Sequence, residues 1–123
     1  MKSINASGAP AAIGPYCHAV QVGDLLFTSG QVPLTLEGNV PEGIAAQTEQ
    51  VFDNLAAVVA EAGASLDKVV KAVVFCTDLG DFAKLNAIYE KRFGGHKPAR
   101  STVQVAALPR GASVEIELVV SLP

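Results

Sequence analysis

An arginine opens a run that otherwise alternates like a β-strand: Pro98-Ala99-Arg100-Ser101-Thr102-Val103-Gln104-Val105-Ala106-Ala107-Leu108-Pro109. Side chains in a strand repeat with period two, so Arg100, Thr102 and Gln104 share one face and Ser101, Val103 and Val105 the other. The first face reads as polar and the second as core. The last run, Ser113 to Leu122, alternates in the same way, with Val114, Ile116, Leu118 and Val120 on one side and Glu115, Glu117 and Val119 on the other. A hairpin across Leu108-Pro109-Arg110-Gly111-Ala112 that superposed the two apolar faces would collect Arg100, Thr102, Glu115 and Glu117 on one polar surface. The chemistry of such a surface is a guanidinium able to grip a carboxylate at two points, beside carboxylates able to hold a water and move its protons. A plainer reading uses the same residues: Arg100 as the ion-pair partner of Glu115 or Glu117, and the glutamates as the solvated side of a strand.

Other segments add reactive or binding groups, each with an ordinary structural alternative. Tyr16 follows Gly14-Pro15, an extended turn that aims a phenol from a stiff loop or places a half-buried tyrosine. Thr28-Ser29-Gly30-Gln31-Val32-Pro33 ends a strand in a glycine turn, where N–H groups and a hydroxyl face a small anion or merely close the strand. Asn86 sits four residues after Phe82 and three before Tyr89, on or beside an apolar stripe where an amide needs a partner, if only a backbone group. The chain has no Gly-x-Ser-x-Gly elbow, phosphate loop or dinucleotide fingerprint. Cys17, Cys76, His18 and His96 lack metal-ligand spacing, so neither a metal nor a disulfide framework is expected.

The elements that must position these groups follow from periodicity. Val51, Phe52, Leu55, Val58, Val59 and Ala62 give Ile44 to Ala62 one apolar stripe, ended at Gly63. A second helix is predicted from Asp81 as N-cap to Phe93, with Phe82, Leu85, Tyr89 and Phe93 inward and Gly94-Gly95 stopping it. Strands are predicted at Ser3 to Ser7, Cys17 to Val22, Leu25 to Gly30, Val69 to Thr77, Arg100 to Ala107 and Ser113 to Leu122, with Gly23-Asp24 as a tight turn. The order βββαβαββ predicts an α+β sandwich, a mixed sheet with both helices on one face.

At 123 residues the chain is expected to form one domain, residues 1–123. Its mean hydropathy of +0.35 is high, yet no apolar run approaches the about 20 residues of a membrane span. The surplus lies in Val69 to Cys76, where neither strand face is polar. Two helices cover one face of the sheet, so the other is expected to bury itself against further copies of the chain. A net charge of -3 without clustered Lys and Arg argues against a nucleic-acid surface. The first eight residues lack the apolar core of a signal peptide, so a cytoplasmic location is expected.

Taken as an ordered set, Ala11-Ala12-Ile13-Gly14-Pro15-Tyr16, Thr28-Ser29-Gly30-Gln31-Val32-Pro33, Val74-Phe75-Cys76-Thr77-Asp78-Leu79, Phe82, Asn86, Tyr89 and Pro98-Ala99-Arg100-Ser101 resemble the YjgF/RidA family of reactive intermediate deaminases. The resemblance implies a chorismate-mutase-like α+β fold, a homotrimer with clefts at its subunit interfaces, and cofactor-free hydrolysis of 2-iminoacids and their enamine tautomers, such as 2-aminoacrylate, to 2-ketoacids and ammonia. It also implies roles: Arg100 binds the substrate carboxylate, Glu115 positions or activates water with Tyr16 beside it, and Ser29, Gly30, Asn86 and Thr102 line the cleft. The family's deaminase branch usually has cysteine where this chain has Thr102, and the segment from Phe93 to Pro98 is shorter than is typical. Two other activities compete with this reading: a trimer that binds ketoacids or other small carboxylates without turnover, and a ribonuclease or translation inhibitor.

Overall fold

Both amphipathic segments are helices in the computed structural model, which describes residues 1–123. Helix α1 spans Ile44–Glu61 and buries Val51, Phe52, Leu55, Val58 and Val59; Gly63, at φ +82°, lies just past its end. Helix α2 spans Phe82–Phe93 and buries Leu85, Tyr89 and Phe93, and Gly94 closes it in the left-handed conformation with its N–H donated to the carbonyls of Glu90 and Lys91. Asp81 occupies the N-cap position as predicted, but its side chain makes no capping bond. The carboxylate that does accept a backbone N–H in this turn is that of Asp78, from Gly80.

Six strands complete the predicted order: β1 Lys2–Ile4, β2 Ala19–Val22, β3 Leu25–Thr28, β4 Val69–Cys76, β5 Ala99–Gln104 and β6 Val114–Ser121. They form one mixed sheet in the order β1-β2-β3-β6-β4-β5, antiparallel except for β4 and β5. Gly23 and Asp24 form the turn between β2 and β3, with Val22 paired to Leu25 across it. Alternate residues of the central strands, among them Leu26, Val74, Ile116 and Leu118, join the helix stripes in one cluster of 22 buried residues. Burying each such side chain contributes about 1.5–3 kcal/mol.

Two expectations fail here. Strands β5 and β6 are not a hairpin: β4 lies between them, parallel to β5 and antiparallel to β6. The reason is the connection. Strand β4 reaches β5 through α2, a βαβ crossover that favours parallel neighbours, and β4, apolar on both faces, belongs in the sheet interior. Register then fixes the faces. Ala72 is level with Arg100 and Leu118, and Val74 with Thr102 and Ile116, whereas Phe75 is level with Val103 and Glu115, and Val73 with Ser101 and Glu117. Arg100 and Thr102 therefore project on the helix side, while Glu115 and Glu117 project on the opposite side, so the shared polar surface does not form within one chain. The face assignment within β5 is reversed as well, because Val103 stands on the helix-free side, 43% exposed, rather than in the core.

That helix-free side is apolar over much of its area. Phe27 is 45% and Leu25 40% exposed there, with Val73, Phe75 and Val119 half-buried beside them. No helix of the chain is long and apolar enough to cross a membrane.

Candidate functional site

Arg100 is placed by the edge strand β5 against one face of α2. Its Nη1 donates to Asn86 Oδ1 at 2.7 Å, and its guanidinium carbon lies 5.2 Å from the centre of the Phe82 ring and 4.7 Å from that of Tyr89. This gives the amide of Asn86 its partner, a charged side chain rather than a backbone group. Arg100 itself has no carboxylate partner: the ion pairs of the chain join Lys91 and Arg92 to Glu49 and Arg92 to Asp53, between the two helices. The reading of Arg100 as the structural mate of Glu115 or Glu117 is thereby excluded within the chain.

Beside it opens a cavity of about 460 Å³ lined by Arg100, Asn86, Tyr89, Glu90 and the segment Gly95 to Pro98. That segment is shaped by two consecutive positive φ angles, +60° at Gly94 and +96° at Gly95, and pinned by a bond of 2.7 Å between His96 Nε2 and the Val69 carbonyl. Thr102, two residues along the strand, shares a second recess with Leu79 and Phe82, and its hydroxyl is buried without a hydrogen-bond partner. Such a hydroxyl carries an unmet desolvation cost, typically 1–3 kcal/mol.

The other candidates lie around Gly30. Glu115 packs directly on Gly30: a Cβ at that glycine would stand 2.8 Å from Glu115 Cδ and 3.0 Å from Cγ and Oε2. The approach is held by Gln31 and Ile116, which exchange backbone hydrogen bonds of 2.9 and 3.2 Å. Burial, and then the neighbouring charge of Glu117, raise the Glu115 carboxyl above the usual carboxylate range. Ser29 is locked at both ends, its N–H donating to the His18 carbonyl at 2.9 Å and its hydroxyl to the Cys17 carbonyl at 2.6 Å. Tyr16, 53% exposed, lines a cavity of about 390 Å³ with Gly30, Gln31, His18 and Arg110.

Glu115, with Gly30 against it, thus lies on the opposite face of the sheet from Arg100 and Thr102, whose helix-side neighbour is Asn86; Ser29 adjoins Gly30 in the chain, and Tyr16 shares a cavity with Gly30. Sequence reasoning missed the residues that hold these groups. His18, 2% exposed, accepts from the Ala6 N–H at Nδ1 (3.0 Å) and bonds the Pro10 carbonyl through Nε2 (2.7 Å), tying residues 6–10 beneath Tyr16. A lone histidine between a cysteine and an alanine gives no local sign of this. Phe82 and Tyr89 were legible as inward-facing, and their spacing with Asn86 was the available sign that they would meet Arg100. No three His, Cys, Asp or Glu side chains converge in a metal-binding cluster.

A mixed six-stranded sheet backed by two helices defines the class as the YjgF-type α+β fold. Its similarity to the structure of TdcF from Escherichia coli with bound serine has a TM-score of 0.96 at 40% identity, covering 100% of both chains. The chain belongs to the YjgF/RidA family, whose model, described as endoribonuclease L-PSP, matches residues 6–122. It is similar to Protein DfrA of Myxococcus xanthus, 50% identical with 96% of this chain and 93% of the relative covered. It is also similar to the 2-iminobutanoate/2-iminopropanoate deaminase of Escherichia coli, 47% identical with 96% and 95% covered.

Proposed function

We propose that the protein is a cofactor-free 2-iminobutanoate/2-iminopropanoate deaminase, a homotrimer in which Arg100 of one subunit meets the Glu115 cluster of the next. The observation that carries this reading is an arginine held by a neutral amide and two rings, with no anion of its own. Such a guanidinium is an open carboxylate site. Serine in the TdcF structure carries a carboxylate of the same kind. The exposed apolar strip of Phe27, Leu25 and Val103 supports assembly through the helix-free face, the face that also bears Glu115.

The chemistry is addition and elimination at carbon. Arg100 orients the substrate through its carboxylate, with Asn86 fixing the guanidinium and Thr102 lining the recess beside Phe82. Water adds to the electrophilic carbon of the protonated imine; Glu115 takes its proton, a task helped by the basicity that burial lends its carboxylate. The nitrogen of the protonated imine becomes the amine of a tetrahedral carbinolamine. Return of the proton from Glu115 to that amine, with Tyr16 near its path, makes ammonia the leaving group; the C–N bond breaks as the carbinolamine hydroxyl gives its proton back to the Glu115 carboxylate and the C=O bond forms. Gly30 is the wall on which Glu115 rests, and Ser29 and Gly30 contact the substrate. One water is consumed, one ammonia leaves, and the carbon keeps its oxidation state. Orientation and proton delivery suffice for so electrophilic a centre.

The test couples a serine/threonine dehydratase, a source of 2-aminoacrylate, to pyruvate detection. The expected result is acceleration by the native protein and none by Arg100→Ala; equal acceleration by the variant would refute the assignment. A pyruvate-binding trimer without turnover is the second reading, favoured if Glu115→Gln and the native protein both bind pyruvate and neither accelerates. The name endoribonuclease attached to the family gains little from this chain, with its net charge of -3 and with Lys91 and Arg92 taken up by Glu49 and Asp53.

A further inference from the structure

We propose that Phe82 and Tyr89 are positioning residues for Arg100, an aromatic bracket that keeps its charge desolvated, fixed and free for an incoming carboxylate. The proposal rests on the carboxylate-binding reading of Arg100 given above. Phe82, Asn86 and Tyr89 occupy positions i, i+4 and i+7 of α2, a spacing that puts them on one stripe of the helix. Together they present ring, amide and ring to the strand opposite. Both rings lie within the roughly 6 Å over which an aromatic face attracts a cation.

The bracket solves a problem peculiar to an anion-binding arginine. A half-buried guanidinium needs compensation for the water it has lost, and an Asp or Glu would supply it while occupying the site the substrate must take. Ring quadrupoles and a neutral amide compensate the charge without cancelling it. The Asn86 bond at 2.7 Å satisfies one of five N–H donors, leaving others toward the cavity of about 460 Å³. The Tyr89 side of the bracket is itself held in place. Tyr89 meets Phe52 edge to face, with ring centres 5.9 Å apart, and Phe93 at 4.7 Å. Its hydroxyl is buried with no hydrogen-bond partner, so the ring rather than the phenol is the working part.

The experiment measures pyruvate affinity by calorimetry on the intact trimer, with kcat and KM from the coupled assay and a melting curve for each variant. Phe82→Leu and Tyr89→Leu are expected to weaken pyruvate binding and raise KM about fivefold or more, the scale of a lost cation–π contact, with kcat less affected. Phe82 is half-buried at the first turn of α2, so its variant should melt close to the native protein and carries the test even if Tyr89→Leu does not fold. In the Arg100→Ala background, Phe82→Leu should cost nothing further. Native affinity and KM in Phe82→Leu, alongside lost binding in Arg100→Ala, would overturn the bracket and leave the carboxylate site standing. Failure of the native protein to bind pyruvate, or equal binding by Arg100→Ala, would overturn the underlying reading and the bracket with it.

Discussion

Gly30→Ala is the substitution that most directly asks whether the Glu115 carboxylate works from the place where the fold puts it. The backbone at Gly30 is not in the left-handed region, so alanine meets no conformational penalty of its own; the cost is contact. The new methyl would stand 2.8 Å from Glu115 Cδ, and ordinary contact begins at 3.4 Å, so the carboxyl must retreat by about 0.6 Å. Backbone bonds between Gln31 and Ile116 stop the two strands from separating, which leaves the glutamate side chain to give way. A displacement near 1 Å at a reacting group costs on the order of 10²-fold in rate. A shift of this size predicts a loss of about 10- to 100-fold in kcat/KM, or about 1.4 to 2.7 kcal/mol of transition-state stabilisation. Pyruvate affinity, which the proposed function assigns to Arg100, should fall far less. The coupled dehydratase assay and calorimetry read the two quantities, and a melting curve together with light scattering checks that fold and assembly are intact. A correctly assembled Gly30→Ala protein with native kcat/KM would refute the idea that the Glu115 position is critical.

Four further outcomes follow from named contacts. Asn86→Ala removes a charge-assisted hydrogen bond, a type worth about 1.5–3 kcal/mol, and should cost about tenfold or more in kcat/KM, mainly through KM, in steady-state kinetics. His18→Phe strands the Ala6 N–H and the Pro10 carbonyl, so the melting temperature should drop by on the order of 10 °C. Val103→Asp puts a charge on the helix-free strip and should lower the mass seen in light scattering, expected at about three times 12.7 kDa for the native protein. Glu115 holds its proton to higher pH folded than unfolded, so its contribution to stability is fully present below the ordinary carboxylate range and is lost as pH rises through the raised folded value. Denaturant titrations across that window should show a slope in the native protein that flattens in Glu115→Gln; an unchanged slope would count against the burial of Glu115 as its cause.

Local patterning carried much of the fold into view. The stripes of Val51, Phe52, Leu55, Val58 and Val59 and of Leu85, Tyr89 and Phe93 mark two helices because an apolar face recurring every three to four residues has no other use in a chain of this size. Gly23, Gly63 and Gly94 mark their turns through backbone freedom that belongs to the residue itself. Alternation in Ser113 to Leu122 correctly separated Val114, Ile116, Leu118 and Val120 from Glu115 and Glu117. The individual site residues were visible as types out of place: a cation at the head of an apolar strand, and an amide on a greasy helix.

Which of them stand together was decided elsewhere. Alternation says which residues of one strand share a face, but whether that face matches a neighbour's depends on which strand is the neighbour and in what register, and a slip of one residue inverts the answer. By inserting β4 between β5 and β6 and setting Arg100 level with Ala72 and Leu118, the tertiary structure sent the arginine to the helix side and left Glu115 on the other. Two further facts have the same origin: Asn86 and two rings, rather than a glutamate, hold the guanidinium, and Gly30 lies against Glu115 from a segment far away in sequence. The sequence by itself determined the elements and the chemical groups, which are properties of neighbours along the chain. Tertiary structure alone decided the company those groups keep, because that depends on contacts between strands and helices remote from one another in the chain.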